Sequence, residues 1–192
     1  MLKSNELQIL SLLFDDFSVK YTIHSIAKKL GQKYSQTFKI VKQLESKNLI
    51  KLEKIGNSNL LLLDWSKVHS EYIITEISRS KTFSKEIEKI RLTLSNFDEE
   101  ILLILFGSYA NNTQNKNSDI DLLLICENKS LEKVIKNKLF LDKIDMNCVN
   151  KEEFFEMINS NGINIVQELF KKHKIIYGYE RFIKLLYIYH NR

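Results

Sequence analysis

The stretch ILLILFGSYANNTQNKNSDIDLLLI, residues 101–125, carries the strongest structural signal in this chain. It holds two apolar runs, 101–106 and 120–125, separated by a polar segment that begins with Gly107 and Ser108. Each run is too short for three helical turns and is bounded by turn-forming residues, which is typical of buried strands. We therefore predict two neighbouring buried strands joined by a polar crossing.

The polar crossing ends in two carboxylates that should project side by side. Asp119 and Asp121 are two residues apart at the start of the second strand, and side chains at i and i+2 of a strand point to the same face. Adjacent carboxylates raise each other's cost of ionisation, and a divalent cation relieves it. Oxygen ligands of this kind suit Mg²⁺, which shares its other positions with waters and substrate phosphates. Gly107 and Ser108 offer close backbone approach and hydrogen-bond donors to a phosphate, so the pattern indicates nucleotide chemistry.

These residues resemble a known family signature. Gly-Ser, nine intervening residues and then Ser-Asp-Ile-Asp is similar to the motif of the DNA polymerase β-like nucleotidyltransferases, in particular the small prokaryotic minimal nucleotidyltransferases. The resemblance covers residues 98–182 and implies a small mixed sheet with flanking helices. The alternative is a solubilising Asp pair on an edge strand next to an unrelated Gly-Ser turn.

The resemblance also implies roles for individual residues. The implied nucleotide-binding residues are Gly107, Ser108 and Ser118. The implied catalytic and metal-binding residues are Asp119, Asp121 and Asp145, with two Mg²⁺ ions as cofactors and a nucleoside triphosphate as substrate. Asp145 lies in a predicted third strand at 143–149, where it matches the family's third carboxylate by position. An edge-strand carboxylate facing water is the alternative for this residue.

One position departs from the family pattern. Asn111 and Asn112 stand where the family usually shows a basic residue and a glycine. Asn tolerates a left-handed backbone better than other residues with a side chain, so the turn itself can be kept. The missing basic residue is expected to weaken phosphate binding.

The positive charge of the chain is concentrated in its N-terminal half. Residues 1–97 hold 16 Lys and Arg against 10 Asp and Glu, a net charge of +6, whereas residues 98–192 hold 13 against 14, a net charge of −1. Residues 20–54 alone hold nine Lys against two Glu, a net charge of +7. A basic surface of this density on a small domain favours nucleic-acid binding.

The N-terminal half also shows the element order of a winged helix-turn-helix. Apolar residues at helical spacing predict helices at 2–14, 23–30 and 35–47, and the second helix ends at Gly31. A strand at 49–55, a turn at 56–59 and a strand at 60–63 follow. The predicted DNA-binding residues are Lys33, Gln36, Thr37, Lys39, Lys42 and Lys54. In the third helix Phe38 is expected to face the core and Thr37 the outside. A helical hairpin used for dimerisation or for packing on the second domain is the alternative to DNA binding.

The predicted fold class is α+β, with three parts. Residues 1–64 form a winged helix-turn-helix domain, 65–97 a helical linker of one broken or two helices, and 98–192 the nucleotidyltransferase domain. In the last part, helices are predicted at 130–139, 151–158 and 163–171 and in the tail after a strand at 174–178. Cys126 and Cys148 lack the spacing of metal ligands and are interpreted as buried thiols.

The expected function is transfer of a nucleoside monophosphate, with AMP as the candidate group, to a hydroxyl acceptor. The resemblance implies a protein acceptor of the HEPN toxin class, in an antitoxin-like role, or a small molecule such as an aminoglycoside. Duplex DNA is the other expected partner, and a homodimer is an open option. No stretch of 18 uninterrupted apolar residues occurs, so we expect a cytoplasmic protein with no membrane partner. The alternative function is a non-catalytic DNA-binding regulator with a nucleotide-sensing domain.

Overall fold

A computed structural model describes residues 2–95, 100–139, 143–160 and 164–192 of the chain. The predicted boundary between linker and nucleotidyltransferase domain, at 97–98, and the first residue of the predicted helix at 163–171 lie outside these ranges. The described residues form a mixed α+β fold with two small sheets and ten helices, which confirms the predicted class.

The N-terminal part follows the predicted order of elements. These are α1 (Ser4–Asp15), β1 (Tyr21–Thr22), α2 (Ile23–Leu30), α3 (Tyr34–Ser46), β2 (Ile50–Ile55) and β3 (Ser58–Leu63). The three strands form an antiparallel sheet in the order β1-β3-β2. Gly31 ends α2 in a left-handed conformation, with φ of 64°, which is the conformation that favours glycine after a helix. The sharp turn between α2 and α3 therefore depends on this glycine.

The buried face of α3 differs from the prediction by one residue. Thr37 is fully buried, whereas Phe38 is 39% exposed, so both assignments made from the sequence were wrong. The reason is Ile40, which extends the apolar stripe so that it repeats at i, i+3, i+4 and i+7 from Thr37. The buried Thr37 hydroxyl finds partners in Gln32 Oε1, at 3.2 Å, and the Lys33 carbonyl, at 3.3 Å.

The segment predicted as a linker contains two helices, of which the first packs into the same core as the N-terminal part and the second into a separate apolar cluster. These are α4 (Ser70–Arg79) and α5 (Lys85–Leu94). Phe14 of α1 makes edge contacts with Trp65 and Tyr72, at centroid distances of 6.2 and 5.2 Å. The Tyr72 hydroxyl accepts a hydrogen bond from the Asp64 N–H at 2.9 Å and donates to the Leu49 carbonyl. A cut after Asp64 would remove these contacts, so tests of the N-terminal half use the full chain.

The second sheet contains both strands of the opening motif. Its elements and flanking helices are β4 (Leu102–Leu105), α6 (Gly107–Asn111), β5 (Ile120–Ile125), α7 (Ser130–Leu139), β6 (Ile144–Val149), α8 (Lys151–Asn159), α9 (Ile165–Lys171), β7 (Lys174–Tyr177) and α10 (Tyr179–His190). The strand order is β6-β5-β4-β7, with β5 and β6 parallel and the other pairs antiparallel. Along β5, Leu122 and Leu124 join one apolar cluster and Leu123 joins the other. Both faces of the sheet are therefore covered, which explains the apolar run 122–125 of β5.

Within the described ranges, none of the helices is both long enough and apolar enough to cross a membrane.

Candidate active site

The turn after β4 lies directly against the carboxylate of Asp121. Gly107 has a φ of 66°, and a Cβ atom built on it would be 2.0 Å from Asp121 Oδ2. The backbone N–H of Ser108 donates a hydrogen bond to the same carboxylate. Glycine is thus required at position 107 for two reasons. The backbone is left-handed there, and the carboxylate occupies the space that a Cβ atom would need.

Asp121 and Asp145 lie opposite each other on neighbouring parallel strands. They are partners in the register of β5 and β6, so both side chains project from the same face of the sheet. Asp119 precedes Asp121 by two residues and lies just before β5, close enough for its charge to act on Asp121. Asp121 is half-buried, whereas Asp119 and Asp145 are exposed. The fold thus brings the three predicted carboxylates to the end of the sheet at which β5 and β6 begin.

The charges around Asp121 oppose its ionisation. Burial raises the pKa of this carboxyl above its usual range, and the charges of Asp145, Asp119 and Glu168 raise it further. The hydrogen bond from the Ser108 N–H acts in the opposite direction. Glu168, on α9, was not predicted to lie near Asp121, because no sequence pattern around Glu168 indicates that proximity. A bound cation would stabilise the ionised form of Asp121.

The donor set fits an ion that is shared with a substrate. Among the residues that the structure describes, no group of three or more His, Cys, Asp or Glu side chains is arranged to hold a metal ion. Mg²⁺ rarely needs such a group, because it is bound through one or two carboxylates together with waters and substrate phosphates. Asp119 and Asp121 supply carboxylate oxygens of this kind, next to the N–H donor of Ser108.

Ser118 and Asn112 have structural roles in the polar crossing. The Ser118 hydroxyl accepts a hydrogen bond from the Asn115 N–H at 2.9 Å, which closes the turn before β5. Its nucleotide-binding role stays a prediction. Asn112 ends α6 with a φ of 57°, so the left-handed turn is kept although the glycine is absent. The side chain of Lys174 donates to Asn112 Oδ1 at 3.2 Å and places a cation at this end of α6. Sequence reasoning missed Lys174, because β7 is distant from the motif along the chain.

The predicted DNA-binding residues divide into exposed and buried ones. Lys33, Gln36, Lys39, Lys42 and Lys54 are exposed, on or beside α3 and on β2. Thr37 is the exception, because its side chain lies in the core with no exposed surface and cannot contact DNA. Within the exposed set, Lys42 is paired with Glu45 at 2.7 Å, an exposed pair that a phosphate can replace at little cost.

Comparisons with known proteins bear on the second half of the chain. Residues 88–182 match the family model described as "Polymerase beta, Nucleotidyltransferase", which identifies a nucleotidyltransferase domain in this part of the chain. A solved structure described as "Crystal structure of the toxin-antitoxin with AMP-PNP" is similar over 56% of this chain and 89% of its own, with 23% sequence identity and a TM-score of 0.36. A likeness of that size supports no conclusion about this chain. No match was found among curated protein sequences.

Proposed function

We propose that this protein is a Mg²⁺-dependent nucleotidyltransferase that transfers AMP from ATP to a hydroxyl group of a partner protein and releases pyrophosphate. The family match supports the reaction class. The single observation that carries the assignment to particular residues is the contact between Gly107 and Asp121, with Asp145 in register beside them. This contact joins the two parts of the motif into one site.

The residues of the chain have distinct tasks in this proposal. Gly107 leaves room for the carboxylate of Asp121, and the Ser108 N–H holds that carboxylate in place. Asp119 and Asp121 bind Mg²⁺, which neutralises charge on the triphosphate when it is bound. Asp145 is exposed on the neighbouring strand, where the acceptor hydroxyl can approach it. Positioning and charge neutralisation provide the catalysis, because the reaction needs no covalent enzyme intermediate.

A protein acceptor is favoured over a drug-like one by the attached N-terminal half. Its element order, its three-stranded sheet and the exposed lysines of α3 support the proposal that this half is a winged helix-turn-helix that binds duplex DNA. A DNA-binding domain suits a regulatory role in which the protein controls its own expression. The resemblance to minimal nucleotidyltransferases then makes a HEPN-class toxin the proposed acceptor.

The test is transfer of label from ATP. Full-length protein is incubated with Mg²⁺, cell lysate and ATP labelled at the α-phosphate, and parallel reactions contain ATP labelled at the γ-phosphate. We expect a protein band labelled only by the α-phosphate, and loss of that band with Asp121→Asn. Glu100→Gln is the control, because the Glu100 side chain is 93% exposed and lies outside the site.

Two results would contradict the proposal. Label from the γ-phosphate on a band that disappears with Asp121→Asn would indicate a kinase instead of a nucleotidyltransferase. ATP binding with no transfer to any acceptor would favour the second candidate, a DNA-binding regulator that senses nucleotide without turnover.

A further inference from the structure

A cavity of about 220 Å³ lies where the N-terminal half meets the nucleotidyltransferase domain. Its wall includes Ser11 and Asp15 of α1, Arg79 of α4, Ala110 of α6, Lys172 just after α9 and Lys174 at the start of β7. Its volume is about seven times the roughly 30 Å³ that a water molecule occupies in the liquid. The cavity therefore has room for a ligand as large as a diphosphate.

Lys174 is a half-buried cation on the wall of this cavity. Its ammonium group donates to two neutral oxygens, the Thr82 carbonyl at 3.0 Å and Asn112 Oδ1 at 3.2 Å. No ion pair of Lys174 occurs within the part of the chain that the structure describes. Burial lowers the pKa of Lys174, and the charges of Lys172 and Arg79 lower it further. Taking a cation out of water without a counter-charge is costly, and an anion in the cavity would relieve that cost.

The other two cations share two carboxylates between them. Arg79, whose side chain is 8% exposed, contacts Glu76 Oε1 at 2.6 Å and Asp15 Oδ1 at 3.3 Å. The Lys172 ammonium lies 3.9 Å from Asp15 Oδ2. Three cations thus face two carboxylates, and the surplus positive charge is at Lys174. Lys172 is held only by a long contact to the half-exposed Asp15, so it too can turn toward an anion.

We propose that this cavity binds a phosphate group, held by Lys174 and Lys172 with Arg79 behind them. Ala110 links the cavity to the candidate active site, because it lies on α6, the helix that places Gly107 and Ser108 against Asp121. The phosphate has two candidate sources with the same chemistry. One is the terminal phosphates of the nucleotide substrate, in which case the inference rests on the proposed function. The other is a separate anion such as pyrophosphate.

The experiment measures binding by isothermal titration calorimetry on the full chain. Pyrophosphate is titrated without Mg²⁺, so that the carboxylate site makes no contribution, and ATP and AMP are titrated with Mg²⁺. The variants are Lys174→Gln and Lys172→Gln. Lys172→Gln is expected to disturb folding less than Lys174→Gln, because the Lys172 side chain is 41% exposed. Lys174→Arg keeps the charge, and Lys136→Gln on α7 removes one exposed charge far from the cavity.

We expect pyrophosphate to bind at least about tenfold more weakly to both glutamine variants, which is the loss of one charge-assisted hydrogen bond. Lys174→Arg and Lys136→Gln should bind it as the wild type does. Weaker binding of ATP with unchanged binding of AMP identifies the nucleotide's terminal phosphates as the ligand. Unchanged binding of ATP identifies a separate anion.

Pyrophosphate binding that is absent from the wild type, or equal in wild type and both glutamine variants, would overturn the proposal. The transfer assay on the same samples keeps the two proposals distinct. A wild type that transfers no AMP but binds pyrophosphate through Lys174 contradicts the proposed function and supports the phosphate site. Normal transfer of AMP, together with pyrophosphate binding that does not depend on the lysines, supports the proposed function and contradicts the phosphate site.

Discussion

Gly107 and Asp121 are packed so closely that a Cβ atom on Gly107 would lie 2.0 Å from Asp121 Oδ2. The same carboxylate accepts the N–H of Ser108, so the turn after β4 fixes both the position and the orientation of Asp121. The two halves of the sequence motif are therefore one physical unit. A change in the turn is expected to act on the carboxylate, and a change in the carboxylate on the turn.

Gly107→Ala should abolish nucleotidyl transfer. The added methyl group would overlap the Asp121 carboxylate, which has to move, and alanine at a positive φ costs about 1 kcal/mol or more in addition. Transfer is measured with labelled ATP, and stability by urea unfolding. Gly56→Ala is the matched control, because Gly56 has a φ of 56° with nothing within 4 Å of its built Cβ.

The control separates backbone strain from the clash. Gly56→Ala should lose a similar amount of stability from strain alone and keep full transfer activity. Equal activity of the Gly107→Ala and wild-type proteins would show that the contact with Asp121 has no functional importance.

Asp121→Asn should abolish transfer and raise the melting temperature of the metal-free protein at neutral pH. The folded state raises the pKa of Asp121, so the ionised carboxylate lowers the stability at every pH above that pKa. The penalty disappears below the unfolded-state pKa of about 3.9, where the carboxyl is protonated in both states. The gain in melting temperature should therefore shrink as the pH falls toward about 4.

Asp119→Asn should also remove transfer, but with little change in melting temperature, because Asp119 is exposed. A lower melting temperature of Asp121→Asn at neutral pH would mean that the hydrogen bond from Ser108 outweighs burial and the neighbouring charges.

Asp145→Asn should lower the pKa of Asp121 and remove transfer while ATP binding is retained. After burial, the charge of Asp145 contributes most to the raised pKa of Asp121, and Glu168 contributes less. The pKa is followed by NMR titration of the Asp121 carboxyl carbon. Glu168→Gln serves as the comparison and should give the smaller shift. No change in the pKa of Asp121 on replacing Asp145 would place the third carboxylate outside the site.

Local patterns in the sequence predicted most of the secondary structure. The run at 120–125 is β5, the helix predicted at 130–139 is α7, and the helix that ends at Gly31 is α2. Each of these signals is contained in a few neighbouring residues: an apolar run, a helical repeat or a glycine at the end of a helix. The family resemblance then predicted a mixed sheet, because it supplied the pairing that local patterns lack.

Features that depend on tertiary packing were not predictable. The sequence assigned Phe38 to the buried face of α3 and Thr37 to the exposed face, and both assignments were wrong. Helical spacing fits either residue on the buried face, and only the packing of α3 against its neighbours decides which one is buried. The contact of Phe14 with Trp65 and Tyr72, which joins the predicted first domain to the predicted linker, is of the same kind. Lys174 reaches α6 from a strand 62 positions beyond Asn112, and no local pattern reports such a contact.

The replacement of Lys39 and Lys42 by Glu should weaken binding of the full chain to duplex DNA by more than the loss of two phosphate contacts. Both side chains are exposed on α3, and Glu adds repulsion from the phosphates to the lost attraction. Binding is measured by fluorescence anisotropy over a range of salt concentrations. The log-log salt slope should fall in magnitude by about two, one unit for each lysine.

The matched control for this prediction is the replacement of Lys133 and Lys136 by Glu on α7. These lysines have the same spacing and exposure and make the same change in net charge, but they lie in the other half of the chain. Their replacement should leave the salt slope unchanged, because these lysines lie outside the proposed DNA-binding face. A slope set by net charge alone would respond equally to both pairs. Equal effects of the two pairs, or binding that does not depend on salt, would contradict a DNA-binding face on α3. The N-terminal half would then be a protein-binding module, and the proposed nucleotidyltransferase activity would stand without it.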